Sequence, residues 1–98
     1  MIRLQIQSDV QDNTLDIVKA AIAAEIKRLE IGLHRTEQQI TAHESRYAVT
    51  SGTFRKEFAA EDLDEGDREY VEWAGELKVR ERIVADLQKL RTIEYVAH

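Results

Sequence analysis

The stretch that decides the fold of this chain is residues 22–47, IAAEIKRLEIGLHRTEQQITAHESRY. Eight of its positions follow one another at alternating spacings of four and three residues. They are Ile22, Ile26, Leu29, Leu33, Thr36, Ile40, His43 and Tyr47. This heptad spacing is typical of a long helix that packs along one seam. No proline interrupts the stretch, and its single glycine costs a helix only about 1 kcal/mol. We therefore predict one helix over residues 12–47, with Asp12 or Asn13 as its N-cap.

A second long helix is predicted over residues 67–93, where apolar residues again recur at helical spacing. Its apolar surface is wider than one stripe. One side, predicted to face the first long helix, carries Tyr70, Ala74, Leu77, Val84 and Leu87. A second side carries Trp73, Ile83 and Leu90. A helix that is apolar on two sides usually has two neighbours, so we expect another copy of the chain to cover the second side in a homodimer or larger oligomer.

Between the long helices, residues 51–60 predict a short helix, capped by Thr50 or Ser51. Phe54 and Phe58 share one of its faces at i, i+4 spacing and are predicted to be core residues. The predicted fold class is therefore all-α, a long antiparallel helical hairpin braced by a short helix. Ninety-eight residues make one small domain, so a single helical-hairpin domain is predicted over residues 1–98.

Residues 1–8 form a different pattern, in which Ile2, Leu4 and Ile6 alternate with polar residues as in a short β-strand. A lone strand has no partner for its backbone groups, so it must pair with its copy in a dimer, join a partner's sheet, or remain a frayed arm. The first option resembles the ribbon–helix–helix repressors, whose paired strands read the DNA major groove. On this alternative the candidate DNA-contacting residues are Arg3, Gln5 and Gln7. That family needs a turn between two short helices, whereas the heptad pattern here continues through Gly32.

Charge is unevenly distributed along the chain, whose formal net charge is −5. Residues 57–76 contain nine acidic residues and one basic residue, Arg68, which gives this segment a charge of −8 and leaves the remainder at +3. Such a segment disfavours nucleic acid and suits a basic partner. We therefore take its acidic side chains and its aromatic residue as candidate partner-binding residues. They are Glu65, Asp67, Glu69, Glu72 and Trp73.

The sequence contains no recognisable catalytic or cofactor-binding motif. The chain has no cysteine, and His34 and His43 lack a third ligand at usable spacing. An EF-hand alignment with Gly66 at position six puts Leu63 where an oxygen ligand is needed. We therefore expect no enzyme activity, no cofactor and no metal. Because no apolar run reaches the length of a membrane span or a leader peptide, a cytoplasmic location without membrane contact is predicted.

Five features follow one another over residues 46–90, roughly the last half of the chain. They are Arg46-Tyr47, Thr50-Ser51, the pair Phe54 and Phe58, an acidic glycine-containing loop at 62–67, and Glu72-Trp73-Ala74. In this order they resemble a family of small prokaryotic helical proteins of antitoxin type, which are often encoded beside a predicted toxin. The resemblance implies binding of a partner protein and no catalytic residues. A structural coiled-coil adaptor without a toxic neighbour remains a third alternative.

Overall fold

The computed structural model describes residues 2–6 and 13–97, and it is largely helical. The two long helices, α1 and α3, pack as a hairpin, which confirms the predicted fold class. In chain order the elements are β1 (Ile2–Ile6), α1 (Thr14–Tyr47), α2 (Ser51–Glu57), α3 (Asp67–Arg91) and β2 (Ile93–Ala97). A single 3₁₀ turn (Ala60–Asp62) lies between α2 and α3.

The chain divides into two compact units, which we call the central unit and the terminal unit. The central unit is Leu33–Arg82, and the terminal unit consists of Met1–Gly32 and Ile83–His98. In the central unit, one core cluster contains buried side chains from α1, α2, the loop before α3, and α3. They are Ile40, Phe54, Leu63, Trp73 and Leu77. In the terminal unit the buried hydrophobic side chains among the described residues are Leu29 and Leu87.

The heptad seam of α1 is confirmed, because all eight of its positions are buried or half-buried. By contrast, Ile17 and Ile31, which lie off the seam, are exposed. The helix ends at Tyr47, as predicted. Ala48 then adopts a left-handed conformation with φ of 54°, and the Val49 amide donates to the Glu44 carbonyl over 3.1 Å. This 6→1 bond is the Schellman motif, which usually has glycine where this chain has alanine.

The short helix α2 begins as predicted, with the Thr50 side chain accepting a hydrogen bond from the Thr53 amide at 3.1 Å. It ends at Glu57, three residues earlier than the predicted limit of 60. Phe58 is extended, and the chain then enters the 3₁₀ turn, where the Asp62 carboxylate accepts from the Ala59 amide at 2.8 Å. An aspartate that bonds a nearby backbone amide offers the chain an alternative to further α-helix.

Helix α3 begins at Asp67, as predicted, and ends at Arg91, two residues before the predicted limit of 93. Gly66 precedes it with φ of 60°, a conformation that favours glycine, and the Gly66 carbonyl accepts from the Tyr70 amide at 3.1 Å. Asp67 therefore lies in the first turn of α3, where its carboxylate interacts favourably with the helix dipole.

The two strands pair with each other in parallel, with Ile2 opposite Ile93 and Leu4 opposite Tyr95. The sequence predicts that residues 1–8 pair with a copy, join a partner's sheet or fray. The structure shows none of these three arrangements for residues 2–6, which pair within their own chain. The predicted Asp12 cap lies outside the described residues. The alternation at the end of the chain places Ile93 and Tyr95 on the half-buried face of the sheet.

Candidate interaction surface

Trp73 lies at the centre of the core and is fully buried, at 0% exposure. Its ring stacks on Phe54 with centroids 3.9 Å apart, and on the His43 ring at 5.3 Å. The prediction that Trp73 lies on an outer side of α3, open to a second chain or a partner, is therefore wrong. The cover comes from α2 of the same chain, because Phe54 and Ser51 both contact the indole.

The indole nitrogen of Trp73 is satisfied by a short polar chain. It donates to Ser51 Oγ at 3.0 Å, and Ser51 Oγ donates to Glu44 Oε2 at 2.9 Å. The Ser51 amide also donates to that Glu44 oxygen, at 2.8 Å. A buried indole N–H needs such an acceptor. The three side chains thus join the end of α1, the start of α2 and the second turn of α3.

Glu69, which was also expected to bind a partner, is buried within the chain at 2% exposure and does not lie on the surface. Its Oε2 accepts from Arg46 Nη1 at 3.0 Å and lies 3.6 Å from His43 Nδ1. Its Oε1 accepts from the Tyr47 hydroxyl and from the Glu65 amide, at 3.3 Å. The carboxylate is therefore surrounded by donors from the end of α1 and from the loop before α3.

These contacts change the ionisation of the cluster. Burial favours the protonated form of Glu69, but the Tyr47 hydrogen bond, the Glu65 amide and the nearby Arg46 and His43 outweigh it, and the pKa of Glu69 is lowered. Burial and the hydrogen bond to Glu69 raise the pKa of Tyr47. The bond to Asp64, at 3.1 Å, raises the pKa of Arg46. Glu69 is therefore a charged, fully bonded structural carboxylate.

The other acidic residues predicted to bind a partner are exposed. Glu65 and Glu72 both flank Arg68, with closest nitrogen–oxygen distances of 3.0 Å and 3.8 Å. Asp67 is exposed at the start of α3 and has no ion-pair partner among the residues that the structure describes. Three of the five predicted partner-binding residues thus remain on the surface, at one end of α3.

Two exposed apolar residues lie on the same helix and were not predicted as binding residues. Val71 is 67% exposed and Val79 is 44% exposed. Asp67, Val71, Gly75 and Val79 follow one another at intervals of four, so each lies on the same side of α3 as the one before it. The sequence feature that could have indicated this surface is the position of Val71 and Val79, four and twelve residues after Asp67. We call Glu65, Asp67, Val71, Glu72 and Val79 the acidic α3 surface.

The candidate DNA-contacting residues are only partly described. Arg3 lies on the exposed face of the two-stranded sheet and pairs with Glu94 at 3.4 Å. Gln5 is exposed in the same strand, and Gln7 lies outside the described residues. Because β1 pairs with β2 of its own chain, one of its two edges is occupied. The symmetric ribbon of the DNA-binding alternative would have to form on the other edge.

Within 2–6 and 13–97, no group of three His, Asp or Glu side chains is arranged to hold a metal ion. None of the helices found there is long and apolar enough to cross a membrane. In the terminal unit, an open hollow of about 260 Å³ is lined by Glu25, Leu29, Asp86, Lys89 and Leu90.

Comparison with protein-family models, with curated proteins and with solved structures gives no match to this chain.

Proposed function

We propose that this chain is a non-enzymatic protein-interaction module, antitoxin-like in role, which binds a basic partner protein through the acidic α3 surface. The observation that carries the proposal is the segregation of charge. Within the segment of charge −8 (residues 57–76), most of the acidic side chains are exposed. A cytoplasmic location, as predicted from the sequence, belongs to the same proposal.

The acidic side chains are suited to attracting a partner, and the valines are suited to holding it. Charges at the rim of an interface mainly accelerate association, whereas buried apolar contacts slow dissociation. Val71, the more exposed of the two valines, lies next to Glu72 and one turn from Asp67, so it replaces Trp73 as the proposed apolar anchor.

The test measures binding kinetics between the purified chain and the protein encoded by the adjacent reading frame. We expect the double change Asp67→Lys and Glu72→Lys to slow association about tenfold or more at low salt. The matched control is Asp16→Lys with Glu37→Lys, which makes the same charge change at a first-turn and a mid-helix exposed position of α1. Val71→Ala is expected to accelerate dissociation.

Absence of binding between the two wild-type proteins would contradict the proposal, as would equal slowing by both double changes. Binding to the chain's own promoter fragment that is lost in Arg3→Ala would instead favour the DNA-binding alternative.

We further propose that the chain forms a homo-oligomer. The supporting observation is a set of large apolar side chains that remain exposed among the described residues, namely Ile2, Ile17, Ile31, Val71, Val79 and Val84. Sedimentation velocity at micromolar concentration should then show a dominant species heavier than the 11.3 kDa monomer. A single monomeric species would contradict self-association and would leave the binding proposal standing.

A further inference from the structure

The loop between the 3₁₀ turn and α3 is attached to the end of α1 by side-chain bonds. The Asp64 amide donates to the Tyr47 hydroxyl oxygen at 3.0 Å. The Asp64 carboxylate accepts from Arg46 Nη2 at 3.1 Å, and the Glu65 amide donates to Glu69 Oε1 at 3.3 Å. Residues 64 and 65 are thus fixed mainly through groups that also contact Glu69.

Glu69 connects these attachments because its Oε2 accepts a bond from α1 and its Oε1 accepts bonds from α1 and from the loop. Arg46 binds Glu69 with one guanidinium nitrogen and Asp64 with the other. Tyr47 donates its hydroxyl hydrogen to Glu69 while its oxygen accepts from the Asp64 amide. If Glu69 lost its charge, it would lose acceptor strength toward Arg46, Tyr47 and the Glu65 amide together.

The surroundings of Glu69 contain charged or titratable groups from every element packed on it. Helix α1 contributes His43, Arg46 and Tyr47. The loop contributes Asp64, through Arg46, and Glu65. Helix α3 contributes Arg68, which is close enough to interact electrostatically with Glu69. Arg46 is the cation that contacts Glu69 most closely, at 3.0 Å, and it is shared with Asp64.

We propose that Glu69 and its donors form an acid-opened latch, in which protonation of this one carboxylate releases residues 64 and 65 while the aromatic core of the central unit stays folded. Leu63, which precedes the released segment, is buried in that core, and Gly66 is bonded to the start of α3. The released segment is therefore short and is bounded by fixed points on both sides. This inference does not depend on the proposed function, because it concerns a motion within the chain.

The direction of the pH effect follows from the lowered pKa of Glu69. A carboxyl whose pKa is lower in the folded state stabilises that state above its unfolded pKa, and the stabilisation is lost as pH falls through the folded pKa. The latch is therefore closed at neutral pH. It opens only at a pH below the ordinary pKa of a glutamate, which is about 4.

Amide hydrogen exchange of the full chain, expressed as protection factors, measures the latch directly. As the pH falls from 6 through the lowered pKa of Glu69, we expect protection of the Asp64 and Glu65 amides to fall at least tenfold, while the Leu77 amide in the core keeps its protection. In Glu69→Gln, the two loop amides should already be weakly protected at pH 6 and should change little on acidification. The matched control, Glu81→Gln, removes an exposed carboxylate of the same helix that does not contact the cluster, and it should behave like the wild type.

Tyr47→Phe provides a second test that keeps both the Glu69 carboxyl and the aromatic ring. It should reduce protection of the Asp64 amide and raise the pH at which Glu65 loses protection, because Glu69 has lost one donor. The latch is refuted if the loop amides of the wild type keep their protection at every pH at which the Leu77 amide keeps its own. It is equally refuted if they lose protection in step with Leu77, or if Glu69→Gln and Tyr47→Phe both exchange like the wild type.

Discussion

The central and terminal units are built on the same two helices, yet they bury very different amounts of side chain. In the central unit α2 adds a third layer, and five hydrophobic side chains from four segments form one buried cluster. The terminal unit contains a two-stranded parallel sheet instead, and its buried hydrophobic side chains among the described residues are Leu29 and Leu87. A pair of helices buries a wide apolar surface only where a further element covers it.

The difference extends to polar groups. In the central unit, Glu44, Ser51 and Glu69 are placed so that buried hydrogen-bonding groups find partners. The ion pairs of the terminal unit are between exposed groups, such as Arg91 with Glu30 at 2.9 Å and Arg28 with Glu25 at 2.6 Å. Exposed pairs contribute little to stability because solvent screens them. We therefore expect most of the stability of the chain to come from the central unit.

The largest expected effect is that of Leu77→Asp, in the core of the central unit. An unpaired charge at this fully buried position should cost several kcal/mol, enough to unfold a domain of this size. Val79→Asp, two residues away at a partly exposed position, is the matched control and should change stability by less than about 1 kcal/mol. Thermal denaturation followed by circular dichroism measures both. Similar midpoints for the two variants would mean that the faces of α3 are assigned wrongly.

A smaller effect is expected for Ser51→Ala, which removes the hydroxyl between Trp73 and Glu44. The indole N–H would lose its acceptor in a buried setting, at a cost of about 1–3 kcal/mol. Ser45→Ala makes the same change at an exposed position of α1 and should be nearly neutral. Urea denaturation followed by the fluorescence of Trp73 gives the free energy of unfolding of the central unit for both variants. A neutral Ser51→Ala would show that the polar chain does not contribute to the stability of the central unit.

The smallest effect is expected for Ala48→Gly, at the left-handed position after α1. Glycine adopts positive φ without the steric cost that alanine has, so this change should stabilise the chain by up to about 1 kcal/mol. The same substitution inside the helix, Ala42→Gly, should destabilise it by about 1 kcal/mol. Opposite signs of the two shifts in urea midpoint are the expected result, and two shifts of the same sign would contradict the Schellman assignment.

The parts of the fold that could be predicted depend on local periodicity. The seam from Ile22 to Tyr47 is readable because helical spacing and burial coincide along one element. The turn signal at Thr50 is readable because capping is a short-range interaction. Burial of Trp73 could have been inferred from its spacing, since Tyr70, Trp73 and Leu77 lie three and four apart, as seam residues do.

The parts that could not be predicted depend on contacts distant in sequence. Alternation in residues 2–6 indicates a strand but does not identify its partner, which is 91 positions away for Ile2. The burial of Glu69 depends on Arg46 and Tyr47, whose side chains reach it only after α1 and α3 have packed together. For the candidate surface, charge identified the segment, but tertiary contacts decided which of its acidic residues remain exposed.

The most direct test of the difference between the units uses Trp73, the single tryptophan of the chain, as a probe of the central unit. Urea unfolding is followed by tryptophan fluorescence, which reports the Trp73 core, and by far-ultraviolet circular dichroism, which reports the helices of both units. We predict that ellipticity begins to fall at lower urea than fluorescence, because the helix ends in the terminal unit unfold before the Trp73 core opens. Two coincident transitions would show that the units unfold as one and would contradict this account.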